Sequence, residues 1–137
     1  MIDVGSTREQ AWTVERSHLA SAFGSGLVEV LATPVLVGFC EECARRLVDP
    51  ALAPGQKTVG ASIALEHLAA TPLGMTVTVR AELTQVNGRR LTFQIEARDD
   101  AEVIGRATHV RCVIDAARFE ARIAQKVAQT RTEPQTD

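Results

Sequence analysis

The change in hydrophobic period after residue 50 restricts the fold more than any other feature of this sequence. Residues 35–48, VLVGFCEECARRLV, carry a wide apolar arc at helical spacing, and Pro50 and Pro54-Gly55 end the pattern. From Val59 onward, apolar and polar residues alternate with a period of two, which is typical of strands. The sequence therefore predicts one long, mostly buried helix followed by a sheet.

Turn signals divide the alternating region into four strands. Asn87-Gly88 is a strong hairpin signal, and Gly105 is a candidate bulge. We predict strands over residues 59–68, 76–83, 90–97 and 102–114, an earlier strand over 11–19, a loop over 21–26 and a last helix from Asp115 to Val127. Hairpin-linked strands pair antiparallel, so the predicted class is α+β. One helix leaves part of such a sheet uncovered, which predicts a dimer.

Length and charge restrict the function. The chain has 137 residues, with 15 Lys and Arg against 17 Asp and Glu, which predicts a single domain over residues 1–130 and a flexible polar tail over 131–137. The near-neutral charge argues against nucleic-acid binding, and no apolar run approaches the roughly 20 residues of a membrane helix. Three cysteines and the absence of a signal peptide predict a soluble, cytoplasmic protein.

Glu41 is the first candidate for chemistry. It lies on the same helical stripe as Val37 and Ala44, where partial desolvation would raise the pKa of a carboxylate and suit it to act as a base or nucleophile. The alternative is an ordinary surface pair with Arg45, four residues further along the helix. Glu42 lies on the polar side, and we expect it to be solvated.

Thr33 and His67 are further candidates. Thr33 precedes Pro34, which predicts that its hydroxyl caps the helix; a nucleophilic threonine would need a base within reach. Glu41 lies roughly 12 Å from Thr33 along the helix axis, too far for a direct dyad, so both would face opposite ends of one substrate or meet a partner chain. His67 shares a strand face with Leu65, and is either a proton carrier or a structural histidine near a turn.

Three other features are weaker. Gly60 lies inside a predicted strand, where a glycine marks a bulge or the close approach of a ligand, and its amide is a candidate oxyanion donor. His109 shares its strand face with Arg111 but carries no specific signal. Cys40 and Cys43 have the spacing of half a zinc site, and because no second pair accompanies them we expect neither a metal nor a cofactor.

Taken together, these residues resemble the hot-dog-fold acyl-CoA thioesterases, and within them the fluoroacetyl-CoA-specific thioesterase type. The resemblance runs from about Leu31 to Lys126 and rests on the joint spacing of segments at residues 32–41, 58–60, 66–77, 87–91 and 105–111. It implies a hot-dog fold, in which the antiparallel sheet wraps one long buried helix. It also implies a homodimer, alone or paired into a tetramer, with the active site at the dimer interface.

The resemblance also implies roles for individual residues. The family's catalytic residues fall on Thr33, Glu41 and His67, its amide donor on Gly60 and its substrate-side arginine on Arg111. The position of its lid phenylalanine falls near Leu27, and we expect Leu27, Phe23 and Leu36 to line the acyl pocket. The implied reaction is hydrolysis of a short-chain acyl-CoA to free acid and CoA. The alternatives are a non-catalytic acyl-CoA or small-ligand binding dimer, and a hot-dog dehydratase, whose acid and histidine are placed differently.

Overall fold

The computed structural model describes residues 2–131 and contains one long central helix and one sheet. The elements are β1 (Thr7–Thr13), α1 (Ala20–Phe23), α2 (Thr33–Val48), β2 (Gln56–His67), β3 (Thr76–Asn87), β4 (Arg90–Arg98), β5 (Val103–Asp115) and α3 (Ala116–Arg131). Short 3₁₀ turns follow β1, at Arg16–His18, and α2, at Asp49–Ala51. None of the helices in this part of the chain is long and apolar enough to cross a membrane.

The sheet has the strand order β1-β3-β4-β5-β2, and every neighbouring pair is antiparallel. The strand that directly follows α2 therefore lies at one edge of the sheet, and the N-terminal strand lies at the other. This arrangement confirms the predicted α+β class with an antiparallel sheet. It also places β2, which carries Gly60 and His67, on an edge whose outer side has no strand partner among the described residues.

The core lies between α2 and the inner face of the sheet. Strict alternation on β3 and β4 buries Val77, Val79, Ala81, Leu83, Leu91, Phe93, Ile95 and Ala97. On α2 the buried arc contains Leu36, Phe39, Cys40, Cys43, Ala44 and Val48. The Trp12 ring stacks on Phe39 with 4.4 Å between ring centroids. Full burial of each large apolar side chain contributes about 1.5–3 kcal/mol, so this layer fixes α2 on the sheet.

Three local predictions need correction. The first strand, β1, covers Thr7–Thr13 and not the predicted residues 11–19. Most of its half-buried positions carry polar side chains, so the alternation of apolar and polar residues is not visible in the sequence. Residues 20–23 form a helical turn, ended by Gly24 at a φ of 96°, where we predicted only a loop. The last helix continues past Val127 to Arg131, the first residue of the predicted tail; residues 132–137 lie outside the described part of the chain.

The described sheet has three register shifts, and two of them lie beside glycines that contact α2. One lies between Gly60 and Ser62 on β2, and the other brings Arg98 opposite Val103 and Ala97 opposite Gly105. The predicted irregularity at Gly105 is therefore present beside it. A Cβ at Gly105 would lie 3.1 Å from Leu36 Cδ2 and 3.2 Å from the Glu66 carbonyl oxygen, which is tighter than ordinary contact.

Gly105→Ala is therefore expected to lower the free energy of unfolding by about 1–3 kcal/mol, because α2 and β2 must both give way. Gly26→Ala is the matched control, since its Cβ would make an ordinary contact of 3.6 Å with Ala20. Urea denaturation of both variants and the wild type tests the prediction. Equal stability of the two variants would contradict it.

Candidate active site

Thr33 begins α2 but does not cap it. The N-cap is Ala32, whose extended backbone places its carbonyl 3.1 Å from the N–H groups of Val35 and Leu36. Thr33 is thus the first helical residue and Pro34 the second, which corrects the predicted cap. The Thr33 hydroxyl is instead 2.8 Å from Nδ1 of His67. Because the backbone does not use this hydroxyl, it is available to hold the imidazole.

His67 ends β2 and faces the start of α2. Its Nε2 is buried and has no hydrogen-bond partner among the described residues, while Nδ1 is engaged by Thr33. Burial lowers the pKa of His67, and the backbone of Ala69 opposes this shift only in part. The ring is therefore neutral near pH 7, with Nδ1 fixed by Thr33 and Nε2 unpaired among the described residues.

A groove of about 360 Å³ opens beside this pair. Its lining is mostly small or apolar and includes Ala20, Gly26, Val28, Val30, Leu68 and Ala69. Neither Leu27 nor Phe23 is part of that lining, and the Leu27 side chain is 98% exposed, so their assignment to the acyl pocket stays a prediction. Leu36 is fully buried in the core of the single chain, and its assignment to the acyl pocket likewise stays a prediction.

Glu41 belongs to a second polar group, eight residues further along α2. Its Oε2 lies 3.7 Å from Nη1 of Arg111, and its side chain is 43% exposed. The predicted alternative of a pair with Arg45 is wrong, since Arg45 binds Asp49. Glu42 is not simply solvated either: it accepts a hydrogen bond from Gln10 and lies 3.5 Å from Arg46 Nε.

Gly60 lies directly against the Glu41 carboxylate. A Cβ at this position would lie only 2.6 Å from Glu41 Oε2, a distance that real Cβ contacts do not reach. The register shift of β2 also falls here, between Gly60 and Ser62. The predicted irregularity is therefore present beside Gly60, and the group that approaches this glycine is the Glu41 side chain, while the approach of a ligand stays a prediction.

The Arg111 side chain is only 6% exposed, and each of its three guanidinium nitrogens has a hydrogen-bond partner. Its Nε donates to the Thr58 hydroxyl at 2.8 Å and its Nη2 to the Thr58 carbonyl at 3.1 Å, while Nη1 is 3.2 Å from His109 Nε2. The sequence placed His109 on the face of Arg111 without giving it a role, and it gave Thr58 no role of its own. One signal in the sequence pointed to His109. On β5, His109 and Arg111 occupy the inward-facing positions between Ala107 and Val113, where apolar residues are expected.

The described residues contain no group of three His, Cys, Asp or Glu side chains placed to hold a metal ion. All three cysteines are free, and Cys40 and Cys43 are buried on α2. Burial raises the pKa of Cys40 to about 12 and also raises the pKa of Cys43.

Comparison with solved structures shows that the fold is that of the hot-dog thioesterases. The chain superimposes on a thioesterase superfamily member from Thermus thermophilus with a TM-score of 0.91, covering 97% of this chain and 98% of that one at 24% identity. A hot-dog-like protein from Thermanaerovibrio acidaminovorans gives a TM-score of 0.85 at 22% identity, covering 98% and 96% of the two chains. At these identities the likeness shows the fold alone.

Closer relatives show the family. The family model described as fluoroacetyl-CoA-specific thioesterase matches residues 14–117. The fluoroacetyl-CoA thioesterase of Streptantibioticus cattleyicolor is 46% identical over 98 residues, which are 72% of this chain and 70% of that protein. A solved structure of the fluoroacetyl-CoA thioesterase FlK has a TM-score of 0.87 and 36% identity, covering 92% and 98% of the two chains. The chain belongs to the fluoroacetyl-CoA-specific thioesterase family and is a thioester hydrolase.

The two site histidines predict how stability depends on pH. Burial is the main reason that the pKa of His67 and the pKa of His109 lie below the ordinary value of 6.5 in the folded chain. Below that pH the unfolded chain binds more protons than the folded chain, so the free energy of unfolding falls as the pH decreases from about 7. Urea denaturation at pH 7.5, 6.5 and 5.5 measures this slope, and His109→Gln should make it shallower. A flat or rising profile would contradict the prediction.

Proposed function

We propose that this enzyme hydrolyses a short-chain acyl-CoA thioester to the free acid and CoA, with Glu41 at the reacting carbonyl. The observation that carries the proposal is the position of the Glu41 carboxylate, which lies against Gly60 and 3.7 Å from Arg111 Nη1. A carboxylate fixed in this way can attack the carbonyl carbon or take a proton from an attacking water.

Both routes break the bond between the carbonyl carbon and sulfur and release CoA. In the nucleophilic route the Glu41 oxygen forms a mixed anhydride with the acyl group, and water then hydrolyses it. In the general-base route water adds directly to the carbonyl. Each route places negative charge on the carbonyl oxygen, and we assign its stabilisation to the backbone amide of Gly60. The register shift beside Gly60 supports this role because it interrupts the β-ladder, and one such donor contributes about 3 kcal/mol.

His67 is the proposed proton carrier. A neutral imidazole can take a proton from water and return it to the departing thiolate. The hydrogen bond between Thr33 and Nδ1 supports this assignment, since it fixes the ring and leaves Nε2 without a partner among the described residues. Thr33 then acts by positioning His67 and the substrate, and not as a nucleophile.

The separation of the two groups favours an active site shared between two copies of the chain. Thr33 and Glu41 are eight residues apart on α2, roughly 12 Å along its axis, and no hydrogen bond or ion pair joins the two groups within residues 2–131. β2 offers a 12-residue edge to a second copy. A two-fold axis near Ile63 would bring Gly60 of one chain toward His67 of the partner subunit.

The groove beside Thr33 and His67 supports a small acyl group. Its volume of about 360 Å³ is at the lower end for ligand pockets, and alanine, glycine and valine form much of its wall.

The three free cysteines fit a reducing compartment, and we propose that the enzyme acts in the cytoplasm.

Glu41→Gln is expected to reduce kcat at least 100-fold, because the amide can neither attack the carbonyl nor take a proton from water. Glu42→Gln is the matched control: it changes the adjacent residue, whose contacts are with Gln10 and Arg46, and should keep wild-type kinetics. Release of CoA thiol from acetyl-, propionyl-, butyryl- and fluoroacetyl-CoA measures both variants. Wild-type turnover by Glu41→Gln would refute the assignment.

The shared site requires a dimer in solution. We expect light scattering to give a molar mass of about twice, or four times, the 14.8 kDa of one chain. Leu65→Pro should shift the mass toward the monomer and abolish hydrolysis together. The Leu68 N–H bonds Ile104 on β5, so alternation along β2 leaves the Leu65 N–H on the open edge, where proline removes a donor. A fully active monomer would exclude the shared site.

A further inference from the structure

Arg111 is a charged residue in the buried face of the sheet. Its charged side chain lies on the inner face of β5, between the buried residues Ala107 and Val113, and is 6% exposed. A guanidinium in such a place needs its donors satisfied and a countercharge nearby. Thr58 satisfies Nε and Nη2, whereas Nη1, the nitrogen closest to Glu41, depends on His109 Nε2 at 3.2 Å.

Hydrogen bonding determines which form of His109 can serve Arg111. Nδ1 lies 2.7 Å from the Ser62 carbonyl oxygen, which can only accept, so Nδ1 carries the proton. The neutral ring then presents Nε2 as an acceptor to Arg111 Nη1. The Phe93 ring lies 6.0 Å from the His109 ring, and His109 is 1% exposed, so packing leaves the ring little freedom to turn. The charged groups that face it are Arg111 and Glu41.

We propose that His109 is a positioning residue of the thioesterase site, which accepts a hydrogen bond from Arg111 and thereby directs Nη1 toward the Glu41 carboxylate. This inference rests on the proposed function of Glu41. Arg111 Nη1 would lie only 3.7 Å from a Cβ at Gly60, so the nitrogen that His109 fixes lies next to both Glu41 and the proposed oxyanion donor. His109 itself does not touch the substrate in this arrangement.

The role predicts different effects for two substitutions at the same position. His109→Leu removes the acceptor and should lower kcat about tenfold or more, with a smaller change in KM, because Arg111 no longer fixes Glu41. His109→Gln can present its amide oxygen near the position of Nε2 and should recover kcat to within about threefold of the wild type. A merely structural role would not separate the two variants in this way, and thermal melting and molar mass confirm that each is folded.

Thr58 supplies an independent test through the same arginine. Thr58→Val removes the acceptor for Arg111 Nε, and Thr58→Ser keeps it. If both residues act through Arg111, the loss of kcat in the double variant Thr58→Val, His109→Leu is smaller than the product of the two single losses. This pair also keeps the proposal testable if His109→Leu does not fold, since Thr58→Val should then lower kcat and Thr58→Ser restore it.

Three results would overturn the proposal: wild-type kcat in His109→Leu, equal losses in His109→Gln and His109→Leu, or fully multiplicative losses with Thr58→Val. Should His109→Leu fail to fold, equal kcat values in Thr58→Val and Thr58→Ser would overturn it. Failure of the underlying function is seen separately. If Glu41→Gln retains wild-type turnover, the assignment of Glu41 is wrong whatever His109 does.

Discussion

The buried guanidinium of Arg111 is the interaction on which the arrangement of the site depends. A charge on the inner face of a sheet is costly unless polar groups surround it. Thr58 on β2, His109 on β5 and Glu41 on α2 each supply an oxygen or nitrogen to it. Satisfying one arginine therefore ties together the edge strand, its neighbour and the central helix. Gly60 completes the group, because any side chain there would displace the carboxylate.

The proposed chemistry uses two groups of residues, and the central helix and the edge strand each contribute one residue to each group. α2 supplies Thr33 in its first turn and Glu41 at its middle, and β2 supplies Gly60 near its centre and His67 at its end. The stiffness of both elements keeps the two groups apart within one chain. We propose that a second copy pairs with the open edge of β2 and completes the site, so that two small domains supply the two walls of the cleft.

Local pattern was sufficient to predict the central helix α2 and the strands β2 to β5. The wide apolar arc of residues 35–48 became α2, and the alternation around Phe93 and the Asn87-Gly88 turn became the central hairpin. Both depend on periods and turn chemistry that neighbouring residues determine. β1 escaped full prediction because its half-buried positions are polar residues, such as Arg8 and Gln10, that pair with distant β3.

The contacts within the site could not be predicted in the same way. Glu41 has Arg45 four residues away and still pairs with Arg111, and Thr33 has its own helix to cap and still binds His67. In each case the partner lies far away in the sequence, and the packing of α2 on β2 and β5 brings it into contact. The resemblance to the thioesterase family pointed to roles for Thr33, Glu41 and His67, but it implied none for His109, and the role that we propose for His109 comes from its hydrogen bonds.

A complementation measurement tests most directly whether two chains build each site. Glu41→Gln and His67→Ala chains carrying different tags are combined, and mixed dimers are isolated by both tags. If Glu41 acts with His67 of the partner subunit, one of the two sites in a mixed dimer is intact, and CoA release returns although each parent dimer is inactive. If both residues act within one chain, every site carries one substitution, and the mixed dimers remain as inactive as their parents.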